Sequence, residues 1–282
     1  MPPALTALLL GATCIALSPI FVRLADVGPT ASAFWRVALA APVLWPMAAL
    51  TPRGSALAHW RLFLLAGVAF AGDLAFWHWS ISFTSVANST LLANLASLFV
   101  TLAAWLFWRE RPSARFLLGL AAALAGVVLL VRTSLAFSAS ALLGDAFGVI
   151  TAVFYAGYIL VVKELRDRGA ATVQLMAIST SITALLLFPV ALASGEALLP
   201  GSAAGWLTLA GLAWISHCAG QGLIAYSLAH LPAAFSSVSL LFQPVMAAIF
   251  GWLLLGEALT PLQMLGGVVV LAGIYLTRRA SP

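Results

Sequence analysis

Two stretches of this chain, 105–126 (WLFWRERPSARFLLGLAAALAG) and 252–273 (WLLLGEALTPLQMLGGVVVLAG), lie 147 residues apart and read as copies of one another. Identities fall at Trp105/Trp252, Leu106/Leu253, Glu110/Glu257, Leu118/Leu265, Gly119/Gly266 and the Leu-Ala-Gly triplets ending at Gly126 and Gly273. Leucine and alanine are cheap in any apolar helix; the tryptophan, glutamate and glycine pairs are less so. Each copy is an apolar end, a polar turn and a second apolar run. In the second copy, Thr260 and Gln263 form a capping box with Pro261 at the first helical position. Ser113 is the matching cap in the first copy. Trp108 and Arg109 stand where the second copy has Leu255 and Gly256, so the first turn is expected to differ.

The rest of the chain has the composition of a membrane protein. Of 282 residues, 63% are hydrophobic and 7% charged, with mean hydropathy +1.09. A water-soluble chain carries about 25% charged residues. Apolar runs near the ~20 residues that cross a bilayer fall at 4–24, 33–51, 62–83, 86–108, 114–132, 143–163, 171–193, 205–229, 233–255 and 261–277. Most breaks carry stop signals such as Gly28-Pro29, Pro52-Arg53-Gly54, Arg111-Pro112 and Gly195. The N-terminal run lacks a basic leader and a clear cleavage site, and is expected to be retained as the first span.

Five spans separate the two copies, so the second enters the membrane upside down. The expected fold is an all-α integral membrane protein of ten transmembrane helices. They form two inverted five-helix repeats, 1–135 and 136–282, around a central cavity. Inverted repeats place a substrate near the bilayer midplane and let the halves rock about it. With the N-terminus inside, ten of the 13 Lys and Arg fall on inner loops, and Arg23, Arg36 and Arg132 fall at outer ends. That places both termini in the cytoplasm. The formal charge of +5 comes with no basic helix face, which excludes a nucleic-acid partner. Cys14 and Cys218 sit in apolar runs and read as small buried hydrophobes, so no metal site and no cofactor are expected.

Polar residues inside spans are the candidate site, since ionisable groups in a membrane are costly and usually functional. Asp73 lies near the middle of the third span, with Trp77 and Ser80 on its face of the helix. His78 and Ser82 share another face. An offset of 144 residues, anchored on Leu-Ala-Gly at 65–67 and 209–211, maps Asp73 onto His217. These two are the candidates for relaying or sensing protons, or else they are hydrogen-bonding glue between helices. Span four carries Thr90, Asn94, Ser97 and Thr101 as a stripe, and span nine carries Ser236, Ser239 and Gln243. Tyr155, Tyr158, Gln221 and Tyr226 complete the substrate-binding candidates with Trp77, His78, Asn94, Ser239 and Gln243. Pro19 and Pro244 are expected to kink their spans. Ala71-Gly72-Asp73 resembles the motif of aspartyl intramembrane proteases, but those enzymes need a second carboxylate. No other acid lies mid-span, so no enzyme is expected.

Trp-Leu-x-x-x-Glu followed by proline, twice, resembles the EamA-type repeat of the drug/metabolite transporter superfamily. So do Ser18-Pro19-Ile20-Phe21-Val22-Arg23 and Phe34-Trp35-Arg36. The resemblance covers the whole chain and implies a monomeric carrier of the bacterial inner membrane that exports small metabolites. Within the superfamily the chain is similar to YddG-type amino-acid exporters. That likeness implies small zwitterions as substrates, with an uncoupled facilitator or a multidrug carrier of the same fold as alternatives. The inferred cavity has no guaranteed fixed charge, which disfavours strongly anionic substrates.

Overall fold

The interruptions in its helices organise this molecule. The structure is a computed structural model and describes residues 3–51, 56–84, 86–109, 111–131 and 139–280. In chain order the helices are α1 (Pro3–Ile15), α2 (Ser18–Leu24), α3 (Pro29–Ala38), α4 (Ala41–Ala49), α5 (Trp60–Phe83), α6 (Val86–Ala93), α7 (Ala96–Trp108), α8 (Ala114–Val131), α9 (Ala139–Asp167), α10 (Thr172–Ala193), α11 (Ala203–Gly211), a π-helical segment (Leu212–Gln221), α12 (Gly222–Ser227), α13 (Ala233–Ser239), α14 (Phe242–Leu255) and α15 (Pro261–Ala280). Among the described residues, eight helical stretches are long and apolar enough to cross a membrane, and Ala114–Leu130 is a shorter apolar one. Arg53, Glu110, Arg132 and the expected boundary between residues 135 and 136 lie outside the described residues.

Several of these stretches are broken partway. The α1/α2 break precedes Pro19 and the α13/α14 break precedes Pro244, the two kinks predicted from proline. Two further breaks were not predicted. The α3/α4 break at Leu39 and Ala40 precedes Pro42. The α6/α7 break at Asn94 and Leu95 has no proline; there the Asn94 amide donates to Thr90 O (2.8 Å) and Ser97 Oγ donates to Asn94 O (3.0 Å). Side chains thus add bonds to the backbone at the break.

The π segment repairs other breaks. Trp214 Nε1 donates to Leu39 O (3.2 Å), Ser216 Oγ to Cys14 O (3.0 Å), and the Cys218 thiol lies 3.9 Å from Ala40 O. A wider helical turn brings these side chains to carbonyls at the α1/α2 and α3/α4 breaks.

Helices α8 and α15 pack antiparallel with their backbones in contact. A Cβ added to Gly119 would meet Gly273 O at 2.8 Å, and one on Gly126 would meet Gly266 O at 2.7 Å. Small residues let apolar helices approach this closely. At the other ends of the helices, Thr260 N donates to Gln263 Oε1 (2.9 Å) and Gln263 N to Thr260 Oγ1 (3.2 Å), which closes the predicted capping box. Phe116 N donates to Ser113 Oγ (3.2 Å).

The residue that follows α7 takes the same conformation as its counterpart after α14, despite the different residue type. Arg109 sits at φ 58°, ψ 21°, and Gly256 at φ 68°, ψ 18°. Arg109 takes the left-handed cap conformation that glycine enters freely, and is the one non-glycine residue among those described with positive φ.

One end of the molecule ties the α2–α3 connection to later loops. Glu196 accepts from Thr30 Oγ1 and from Ala31 N (both 2.9 Å), capping the start of α3. Asp26 accepts from Ser202 N (3.0 Å) and Oγ (2.8 Å), and Trp35 Nε1 donates to Leu198 O (2.6 Å). Arg23 pairs with Glu257 at 2.5 Å on the surface.

Candidate functional site

The helix breaks converge on one cavity. It is bordered by Ser18 and Pro19 after the α1/α2 break, by Arg36 before the α3/α4 break, and by Thr90 and Asn94 at the α6/α7 break. Gln243 and Pro244 follow the α13/α14 break, and Gln221 closes the π segment. From α5 come Phe70, Asp73, Leu74 and Trp77, and from α9 comes Tyr155. The empty space is about 700 Å³, counting solvent at its mouth. Irregular backbone at membrane depth is tolerated where it lines a cavity.

Six of the residues singled out from sequence line this cavity: Asp73, Trp77, Asn94, Tyr155, Gln221 and Gln243. Asp73 and Trp77 share one face of α5, four residues apart. Asn94 and Gln243 border it from α6/α7 and α14.

The others are turned into helix contacts. His217 is buried, 2.7 Å from Thr180 Oγ1 and packed on Phe70 at 5.2 Å between ring centroids. His78 is buried with Nδ1 2.7 Å from Leu74 O in its own helix. Tyr158 is buried, its hydroxyl 3.8 Å from the Met176 sulfur. Ser239 donates to Phe235 O (2.9 Å), and Tyr226 is exposed, edge-on to His230. Ser97 and Thr101 likewise bond back into α6/α7. For Ser97, Thr101 and Ser239 the cause is shared: a hydroxyl on a packed helix face bonds a backbone carbonyl one turn back.

Arg36 is the residue that sequence reasoning misplaced. It was assigned to an outer span end, but it is 5% exposed and borders the cavity. The reason is α3: Glu196 caps it at Pro29–Ala31, so Arg36 falls two turns down from the cap rather than at the edge. Its guanidinium carbon lies 5.9 Å from the Phe70 ring centroid, a cation–π contact. It shares the cavity wall with Asp73, yet the three ion pairs among the described residues all lie elsewhere. The cavity wall therefore includes two ionisable side chains, Arg36 and Asp73, and the arginine was not among the residues expected there.

Around these charges, polar atoms lack partners. Ser18 Oγ, Arg36 Nε, Thr90 Oγ1, Gln221 Nε2 and Gln243 Nε2 are buried without a hydrogen bond. Tyr155 sits beside the Gln221 and Gln243 amides, and Tyr158 beside Gln221. A buried polar group left unpaired costs about 1–3 kcal/mol, and five of them cluster around this one cavity. Among the described residues, no group of three or more His, Cys, Asp or Glu is placed to hold a metal ion. Cys14 and Cys218 are free thiols.

A cavity of this kind, framed by broken helices, suits a carrier. The EamA-like transporter family matches residues 2–132 and again 142–279. The chain belongs to the EamA-like transporter family. It is 29% identical over 276 residues to a transporter of Archaeoglobus fulgidus, covering 92% of this chain and 91% of that one. It is 29% identical over 220 residues to the pseudopaline exporter CntI of Pseudomonas aeruginosa, covering 77% and 75%. A probable amino-acid metabolite efflux pump of Salmonella typhimurium is 27% identical over 214 residues, covering 73% and 72%. One solved crystal structure superposes with a TM-score of 0.81 at 17% identity over 99% of this chain and 96% of its own, which shows a common fold. The chain is thus a multi-pass membrane transporter, all helical among its described residues, and its family points away from enzymes.

Proposed function

We propose that this transporter exports small metabolites, foremost amino acids and related zwitterions, across the bacterial inner membrane by alternating access. The observation that carries the reading is the central cavity, which sets the ionisable Arg36 and Asp73 among unpartnered polar atoms and aromatic walls. A relative bearing the name of a probable amino-acid metabolite efflux pump supports the same substrate class.

Ten spans in two inverted halves, 1–135 and 136–282, provide the moving parts in this reading. Its support is the α8/α15 contact. The 147-residue offset carries Gly119 onto Gly266 and Gly126 onto Gly273. The Gly119–Gly273 approach therefore maps onto the Gly126–Gly266 approach. An antiparallel contact that exchanges with itself is what a twofold axis in the membrane plane produces. The break at Asn94 and Leu95 maps, within one residue, onto that at Leu240 and Leu241. Removing the buried Arg36 from the outer charges leaves Arg23 and Arg132 there, which favours cytoplasmic termini more strongly. The chain is proposed to act as a monomer.

Coupling is tested in liposomes loaded with labelled amino acid. Accumulation against a gradient after an imposed pH step identifies proton antiport, with Asp73 as the cavity's candidate proton carrier. Equilibration without accumulation identifies a facilitator. Absence of movement for amino acids, with movement of lipophilic drugs, would replace this substrate class by multidrug export.

A further inference from the structure

We infer that Arg36 and Asp73 divide the recognition of a zwitterion between them, the Arg36 guanidinium binding its carboxylate and the Asp73 carboxylate binding its ammonium. This rests on the transport reading and specifies its substrate class.

Arg36 is nearly fully buried, has a free Nε donor and makes no ion pair. A buried guanidinium is costly unless its charge and its donors are answered. Its planar fork matches the two oxygens of a carboxylate. The other unpartnered cavity atoms include amide nitrogens, Gln221 Nε2 and Gln243 Nε2, which only donate. They suit the same acceptor-rich group.

Asp73 supplies the opposite chemistry. It lies half-buried on the cavity wall, one helical turn below Trp77 and across from Tyr155. A carboxylate beside indole and phenol rings is suited to an ammonium.

The two charges stand on α3 and α5, on the wall of one cavity, and form no ion pair with each other. A ligand that carries both charges answers both, so cavity and cargo remain neutral together through the membrane. A monocation or a monoanion answers one and leaves the other uncompensated in a low dielectric, which selects against it. Phe70, Leu74 and Pro244 leave apolar wall for a side chain.

The experiment measures counterflow in proteoliposomes for L-phenylalanine, L-alanine and L-leucine, each beside its amide (a cation) and its N-acetyl derivative (an anion). On the wild-type protein at least one free amino acid is expected to compete roughly tenfold or more better than either of its capped forms. Arg36→Gln is expected to weaken the free amino acid by a similar factor while changing the amide less than about threefold. Asp73→Asn should spare the N-acetyl form in the same way. Arg36→Lys, which keeps the charge but not the fork, should fall between. Equal competition by a capped form and its parent would overturn the assignment even if no variant folded, and would leave the transport reading standing. Equal losses for all three forms in both variants would overturn it too. If none of the nine compounds moves, the amino-acid transport reading falls along with it.

Discussion

The glycine contact between α8 and α15 can be tested one methyl group at a time. Alanine at Gly126 would place its Cβ 2.6 Å from Val270 N, and alanine at Gly273 would place it 2.5 Å from Ala123 N. Ordinary contact begins at 3.4 Å, so the backbones must part by nearly an ångström. No rotamer relieves a clash with backbone atoms. Overpacking of this kind costs about 1–3 kcal/mol. Gly157 and Gly222 are controls, because a Cβ there meets nothing within 4 Å. At those positions alanine should be neutral or stabilise by up to about 1 kcal/mol. The assay is thermal unfolding of purified protein in detergent, followed by tryptophan fluorescence. Gly126→Ala and Gly273→Ala should each melt roughly 3–10 °C below the Gly157→Ala control. Because the two sites are exchanged by the repeat and act through one separation of the same helix pair, the double variant should cost less than the sum. Melting of Gly126→Ala level with Gly157→Ala, or strict additivity of the pair, would refute close backbone packing of α8 on α15.

Further outcomes follow from single contacts. Arg109→Gly relieves a left-handed arginine (φ 58°) and should raise the melting temperature, by about 1 kcal/mol in stability. Glu196→Ala uncaps α3, the helix that carries Arg36, and should cost about 1 kcal/mol in thermal unfolding. Thr180→Val removes the partner of buried His217 Nε2 and should destabilise by about 1–3 kcal/mol, read by the same melt, while the substrate preference in counterflow is unchanged.

Much of this was legible in the sequence because hydropathy, proline and repeat spacing are local signals. Spans, the capping box at Thr260 and Gln263, and the kinks before Pro19 and Pro244 needed no tertiary knowledge. Asp73, Trp77, Asn94, Tyr155, Gln221 and Gln243 were found because a polar residue in an apolar run must face protein or water. Which of the two it faces is decided by neighbours, and there the sequence is silent. His217 satisfies itself on Thr180, from α10, a partner 37 residues away. Ser239 and His78 satisfy themselves on their own helices. Arg36 was misread because an arginine near a span end normally reaches for the interface. Only the depth of the α3 cap, set by Glu196 from a distant loop, shows that it points into the cavity. The π segment and the proline-free break at Asn94 have no short-range signature at all.

The proposal of a water-filled cavity between the helices is most directly tested by thiol accessibility. In protein with Cys14 and Cys218 replaced by alanine, Gln243→Cys borders the cavity, and Leu185→Cys lies on the outer face of α10, 75% exposed and facing lipid. A charged, membrane-impermeant thiol reagent is applied to each side of sealed vesicles. Gln243→Cys should be modified from at least one side and protected by an amino acid that the protein transports, while Leu185→Cys stays unmodified. An unreactive Gln243→Cys from both sides would contradict a water-filled cavity between the helices.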